Sequence, residues 1–204
     1  MSKIETDSKK NILKVAFALF LEKGYNNVTI KQIMDISGLS KGAIYHHFSN
    51  KEEIYTATLE LYFFELLDPK EIDISESFIK NIEIMYTFIS DMFDDLENLI
   101  SSKTKYPIRN FYFFQLESEK NDSIREKIEL AVMKFRKRIE AVVLAANNNN
   151  QIKAGLNTEA ITYQIIALIE GTAIHHSTLK ENIKQELMQK YKLIFDSYLQ
   201  LITK

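Results

Sequence analysis

The sequence predicts an all-α fold, on three observations: apolar residues recur at helical spacing along most of the chain, helix breakers are scarce, and capping signals stand where the periodic segments begin. Only five Gly and two Pro occur in 204 residues, and Lys, Glu, Leu, Ile and Ala are abundant. Long helices are therefore easier to place than short strands with turns. A composition of 46% hydrophobic and 26% charged residues is that of a globular chain with a core to bury, and excludes a disordered or collagen-like class.

The first periodic segment, Ser8 to Lys23, sets Ile12, Val15, Ala16, Leu19 and Phe20 on one face. Gly24 is placed to stop it in a left-handed conformation. In Thr29-Ile30-Lys31-Gln32 a Thr N-cap and a Gln three residues on can satisfy two orphan amides reciprocally, so a second, short helix begins at Ile30. The pattern breaks at Ser37-Gly38-Leu39. Ser40 then caps a third short helix ending near Phe48, with Leu39 and Ile44 as the hydrophobic staple. Ser49 or Asn50, followed by Glu52 or Glu53, opens a fourth helix through Ile54, Leu59, Tyr62, Phe63 and Leu66. Further helices are expected over roughly 74–96, 107–118, 122–147, 158–178 and 180–202. Pro69 and Pro107 sit at breaks, and Asn147 to Asn150, with Gly155 and Asn157, form the clearest loop.

The net charge of −2 gives no global attraction to nucleic acid. Residues 1–55 nevertheless hold eight Lys against six acids, and the remainder carries −4, so the N-terminal end is the one suited to phosphates. Without Cys there is no disulfide framework, thiolate metal site or thiol nucleophile. The polar start of the sequence and apolar runs no longer than Val15 to Leu21 fall far short of a membrane span. The expectation is a cytoplasmic protein with no membrane partner.

Two short helices around a Gly-containing turn, supported by a preceding amphipathic helix, are what a helix-turn-helix requires. Ile30, Ile33, Met34, Leu39, Ile44 and Phe48 should pack against the first helix, and Gly38 should let the backbone turn. Ser40, Lys41, Gly42, Ala43, Tyr45 and His46 then form an outward face short and polar enough for a major groove. Thr29 has a purely structural reading as a cap, and Tyr45 one as half-buried core. Metal binding by His46-His47 is disfavoured, since adjacent helical residues point about 100° apart.

The run Thr29-Ile30-Lys31-Gln32-Ile33, the segment Ser37-Gly38-Leu39-Ser40-Lys41-Gly42-Ala43-Ile44-Tyr45-His46-His47-Phe48 and Lys51-Glu52-Glu53-Ile54 together resemble the tetracycline-repressor (TetR) family. The likeness covers about the first 55 residues. It implies that Thr29 and Lys31 meet phosphates, that Ser40, Lys41, Gly42, Ala43, Tyr45 and His46 face the groove, and that Lys51 clamps a further phosphate. It also implies a helix-turn-helix DNA-binding domain over 1–50 and a helical bundle over 51–204, holding a small-molecule pocket and a homodimer interface on the last two long helices. The partners implied are a palindromic operator in double-stranded DNA, a small effector and a second copy of the chain. The working mechanism is repression relieved by ligand.

In the last helix Ile183, Leu187, Tyr191, Ile194, Tyr198 and Ile202 run down one side, widened by Met188, Phe195 and Leu199. With Ile165, Ala167, Leu168, Ile169, Gly171, Thr172 and Ala173 on its neighbour, they are candidates for a four-helix contact across a dimer axis. The alternative is that this stripe packs within the subunit. For a pocket, aromatic supply comes from Tyr86, Phe88, Met92 and Phe93 and from Phe111-Tyr112-Phe113-Phe114, suited to an apolar or aromatic effector. Gln115, Glu170, His175 and His176 are polar residues in apolar company. The candidate pocket set is Tyr86, Phe93, Phe111, Phe114, Gln115, Glu170 and His175.

Two other classes compete. Asp94-Asp95-Leu96-Glu97-Asn98 resembles an acidic magnesium motif of isoprenoid synthases, but no second acidic motif follows. Glu-x-x-His pairs for a di-iron bundle and Gly-rich phosphate loops are also missing, so no catalytic residue, metal or cofactor is expected. An interaction protein that has lost DNA affinity would have no use for cations at Lys31, Lys41 and Lys51.

Overall fold

In the computed structural model, residues 3–67, 76–100, 106–118 and 122–204 are described. The expected helix start near residue 74 and the break at Pro69 lie outside them. The described chain is helical throughout apart from its connections. Its one β-type contact is an isolated antiparallel bridge between Ile152 and Thr203.

Helix α1 (Lys3–Lys23) buries Ile12, Ala16, Phe17 and Phe20 completely. It ends at Gly24, which is not in the expected left-handed helical conformation but combines φ 75° with an extended ψ of 158°, a region open at little cost only to a residue without Cβ. A 3₁₀ turn (Tyr25–Asn27) leads to α2 (Ile30–Ser37), then α3 (Lys41–His47) and α4 (Lys51–Thr58). The capping box at the start of α2 is complete: Gln32 N donates to Thr29 Oγ1 at 3.2 Å and Thr29 N donates to Gln32 Oε1 at 2.8 Å. Ser40 Oγ accepts from Ala43 N, and of the two candidates at α4 it is Asn50 that caps, accepting from Glu53 N at 2.8 Å. Gly38, at φ 71°, closes α2 in the left-handed region.

Beyond α4 the chain departs from sequence expectation. The fourth helix passes through a π turn (Leu59–Phe63) before a last α-helical turn, α5 (Phe64–Leu67). Such a turn widens the hydrogen-bond ladder by one residue and re-aims the side chains after it. Here it brings Phe63 fully into the core.

Five longer elements build the rest: α6 (Phe78–Ile100), α7 (Pro107–Ser118), α8 (Asp122–Asn148), α9 (Thr158–His175) and α10 (Ile183–Ile202). Asn147 and Asn148 are still helical, so the turn is carried by Asn149 and Asn150, the latter at φ 57°. Asn157 caps α9, accepting from Ala160 N at 2.9 Å. The α8–α9 connection is tied to the end of α10: Lys153 N donates to Ile202 O, and its ammonium reaches the carbonyl oxygens of Gln200 and Leu201 at 3.1 and 2.8 Å. Those carbonyls lack intrahelical partners, which is why a cation settles there.

The broad apolar stripe of α10 serves the subunit's own core. Ile183, Leu187, Tyr191, Phe195, Leu199 and Ile202 are buried, largely against α6. Ile165, Ile169 and Ala173 of α9 are buried with them. Tyr191 donates to Ile169 O at 2.9 Å and Tyr198 to Gln164 Oε1 at 2.6 Å, fixing α10 against α9. What remains outward on α9 is a face of Ala160, Tyr163, Ala167, Gly171 and Ile174, and on α10 Leu193 and Leu201.

Candidate nucleic-acid interface and ligand cavity

The helix-turn-helix is built from opposed faces. Ile33, Ile44 and Phe48 are buried, and Ile30, Met34 and Leu39 are partly buried against the same core. On the other side Thr29, Lys31, Ser40, Lys41, Gly42, Tyr45 and His46 are exposed, and Ala43 is half-buried. Tyr45 is therefore not core. The Lys41 ammonium stands over the Tyr45 ring, 5.7 Å from its centre, so the two are presented together as a cation–π pair. Asn11 Nδ2 donates to Ser37 O at 3.1 Å, bracing the turn against α1.

For Lys51, given a phosphate-clamp role by the resemblance, the structure shows contacts within the protein. The Lys51 ammonium turns inward, donating to Tyr25 O at 2.8 Å and Val28 O at 2.9 Å, 4.2 Å from the Tyr25 ring centre. Burial lowers its pKa. The residue pins the α1–α2 connection to the start of α4, and two of its three ammonium protons are already engaged.

The candidate pocket residues separate into two groups. Phe111, Gln115 and Glu170 line a cavity of about 600 Å³ between α6, α7, α8 and α9, together with Phe88, Met92 and Tyr112. Tyr86, Phe93, Phe114 and His175 do not line it. Tyr86 stacks on Tyr191 and Phe195 at 5.5 and 5.4 Å between α6 and α10. Phe93 is fully buried behind the wall, edge-on to Phe111 at 5.5 Å. Phe114 belongs to the core under α1 and α4, within 5.9 Å of Phe17 and Tyr55. His175 is exposed at the end of α9, beside His176, whose Nδ1 lies 2.8 Å from Thr172 O. Phe113 faces outward. Sequence reasoning missed the α8 wall, Ile128 and Phe135, though the 3.6-residue recurrence of Ile124, Ile128, Phe135 and Ile139 was there to be read.

Glu170 is the polar anomaly of the cavity. Burial raises its pKa, and no hydrogen bond or ion pair reaches its carboxylate among the described residues. Burial raises the Tyr112 hydroxyl as well, with the Glu170 charge adding to it. Within the described residues no group of His, Cys, Asp and Glu could hold a metal ion, and no helix is long and apolar enough to cross a membrane.

The profile of bacterial regulatory proteins of the tetR family matches residues 12–58, the segment holding α2, α3 and their buried contacts with α1. Residues 12–58 are a TetR-family helix-turn-helix segment. The HTH-type transcriptional regulator QacR of Staphylococcus aureus is 28% identical over 190 residues, 92% of this chain and 95% of its own. The Tn10 TetC protein of Escherichia coli is 26% identical over 84% of this chain and 81% of its own. Among solved structures, a TetR transcriptional regulator from Chloroflexus aurantiacus aligns over 99% of both chains at 21% identity with a TM-score of 0.68, a likeness of fold. The family's members are regulators and not enzymes, so the acidic run at Asp94 to Glu97 needs no catalytic role.

Proposed function

We propose that this protein is a TetR-family regulator that binds a palindromic operator as a homodimer and represses transcription until a small apolar or aromatic effector enters the α6–α9 cavity. The reading head is residues 1–50 and the regulatory bundle 51–204, acting in the cytoplasm. The observation that carries the reading is the division of α3 into a buried side, Ile44 and Phe48, and an exposed side of Ser40, Lys41, Gly42, Tyr45 and His46. Gly42 permits close approach, Lys41 and Tyr45 position on phosphate, and His46 reads a base edge. Thr29 and Lys31 meet phosphate at the start of α2, where the free backbone amides of a helix favour an anion. Lys51 acts one step back, by holding the framework that presents them.

Dimerisation is supported by the need of a helix-turn-helix reader to match two half-sites about 34 Å apart. It is also supported by the small-residue face of α9 left outside the subunit core. Release by ligand has a physical route. Phe111 of the cavity wall lies 5.2 Å from Phe63 in the π turn, and Phe63 continues the helix that begins at Lys51. A ligand that displaces α7 therefore acts on α4, and a rotated reading head no longer fits both half-sites. The test is selection of bound fragments from the source genome by the purified protein. A two-fold symmetric site with adjacent genes under its control is the expected result; no specific fragment, with or without cavity ligand, contradicts the proposal.

A further inference from the structure

We propose that the cavity takes a lipophilic organic cation, with Glu170 as its counter-charge. The inference rests on reading this cavity as the effector site and adds the chemical class of the effector. Its lining contains no Lys, Arg or His and two carboxylates, Glu170 and Glu129, of which Glu129 pairs with Arg125 at 3.8 Å. A carboxylate without donors in apolar surroundings is costly to keep charged, and a cation beside it recovers that cost. The rest of the wall is what an organic cation favours: Phe88, Phe111, Tyr112 and Phe135 line it, and aromatic rings attract a cation through their quadrupoles.

An independent feature points the same way. Phe88, Met92 and Phe135 also line a second, larger depression of about 920 Å³ and so stand between the two spaces. Its walls carry Glu65, Glu83, Asp91, Asp94 and Asp95 against Lys80, Arg138 and Lys184. Lys80 pairs with Glu83 at 2.9 Å and Lys184 with Asp91 at 2.7 Å, and the acids of the wall outnumber its cations five to three. The acidic excess raises the local concentration of cations at the cavity's edge and lowers that of anions.

The experiment is calorimetric titration of the full-length protein with three tetrahedral probes: tetraphenylphosphonium, neutral triphenylphosphine oxide and anionic tetraphenylborate. Wild type should bind the cation at least tenfold more tightly than either other probe. Glu170→Gln should lose about tenfold for the cation while its affinity for the neutral probe stays the same. Ala131→Phe, which fills the cavity from α8, should abolish the binding. Unchanged cation affinity in Glu170→Gln, or wild-type preference for the neutral or anionic probe with Ala131→Phe still abolishing it, overturns the cation and leaves the cavity as effector site. Cation binding that survives Ala131→Phe, or no binding of any probe to wild type, overturns both.

Discussion

The ring of Phe63, in the π turn that follows α4, lies 5.2 Å from the ring of Phe111, which lines the α6–α9 cavity. Phe63 lies equally close, 5.2 Å, to Phe114, the α7 residue that packs under α1 and α4. One buried side chain thus joins the cavity wall to the helix bearing the reading head. Phe63→Leu keeps the site apolar at a cost of about 1–1.5 kcal/mol but removes the ring contacts. The expected outcome is operator affinity within about threefold of wild type in the absence of ligand, with a smaller loss of affinity when a cavity ligand is bound. Gel-shift titrations with and without ligand give the ratio. An unchanged ratio removes Phe63 from the coupling.

Lys51 is expected to act on stability and not on phosphate. Lys51→Met keeps the aliphatic stem and removes the two hydrogen bonds to Tyr25 O and Val28 O. The loss should be about 1–2 kcal/mol, given the partial exposure of the ammonium. Thermal unfolding measures it. The slope of log K against log salt for operator binding should stay that of wild type, because no phosphate contact is lost.

Much of the reading head was legible because its structure is fixed by near neighbours in sequence. The Thr29–Gln32 box, the Ser40 and Asn50 caps and the Gly38 turn are each completed within three or four residues. The task of Lys51 was not legible, because its carbonyl partners lie 23 and 26 residues away and nothing local marks the direction of its side chain. Phe111 and Phe114 sit three residues apart on α7, yet one faces the cavity and the other the core under α1. That choice depends on what α7 packs against, which periodicity alone does not contain. In the same way the α10 stripe was visible, but its capture by α6 was not.

The Glu170 carboxyl gives a pH dependence with a definite sign. Its folded pKa is raised by burial above the unfolded value, so the folded state holds the proton more tightly. The stability this contributes is fully present below the unfolded pKa and is lost as pH rises through the folded pKa. Glu170→Gln should therefore flatten the fall in Tm between acidic and neutral pH and raise Tm at pH 7.5 by about 2 °C. Glu97, also raised by burial, is present in both proteins, so the difference between their curves isolates Glu170. Parallel curves would mean that the carboxylate is well solvated.

Gly171 lies on the outward face of α9, and a Cβ built there meets nothing within 4 Å. A larger side chain is thus tolerated by the subunit itself but not by a second copy packed on that face. Gly171→Glu should convert the proposed dimer to a folded monomer in analytical ultracentrifugation, with helical content unchanged. A dimer that persists places the interface elsewhere.

The central claim, that the exposed side of α3 reads DNA, is tested most directly by a salt titration on the selected operator with wild type, Lys41→Ala and Lys51→Met. Lys41→Ala should weaken binding and reduce the magnitude of the salt slope by about one per subunit, while Lys51→Met leaves the slope unchanged. A slope that is the same for wild type and Lys41→Ala would contradict the assignment of α3 as the element that meets DNA.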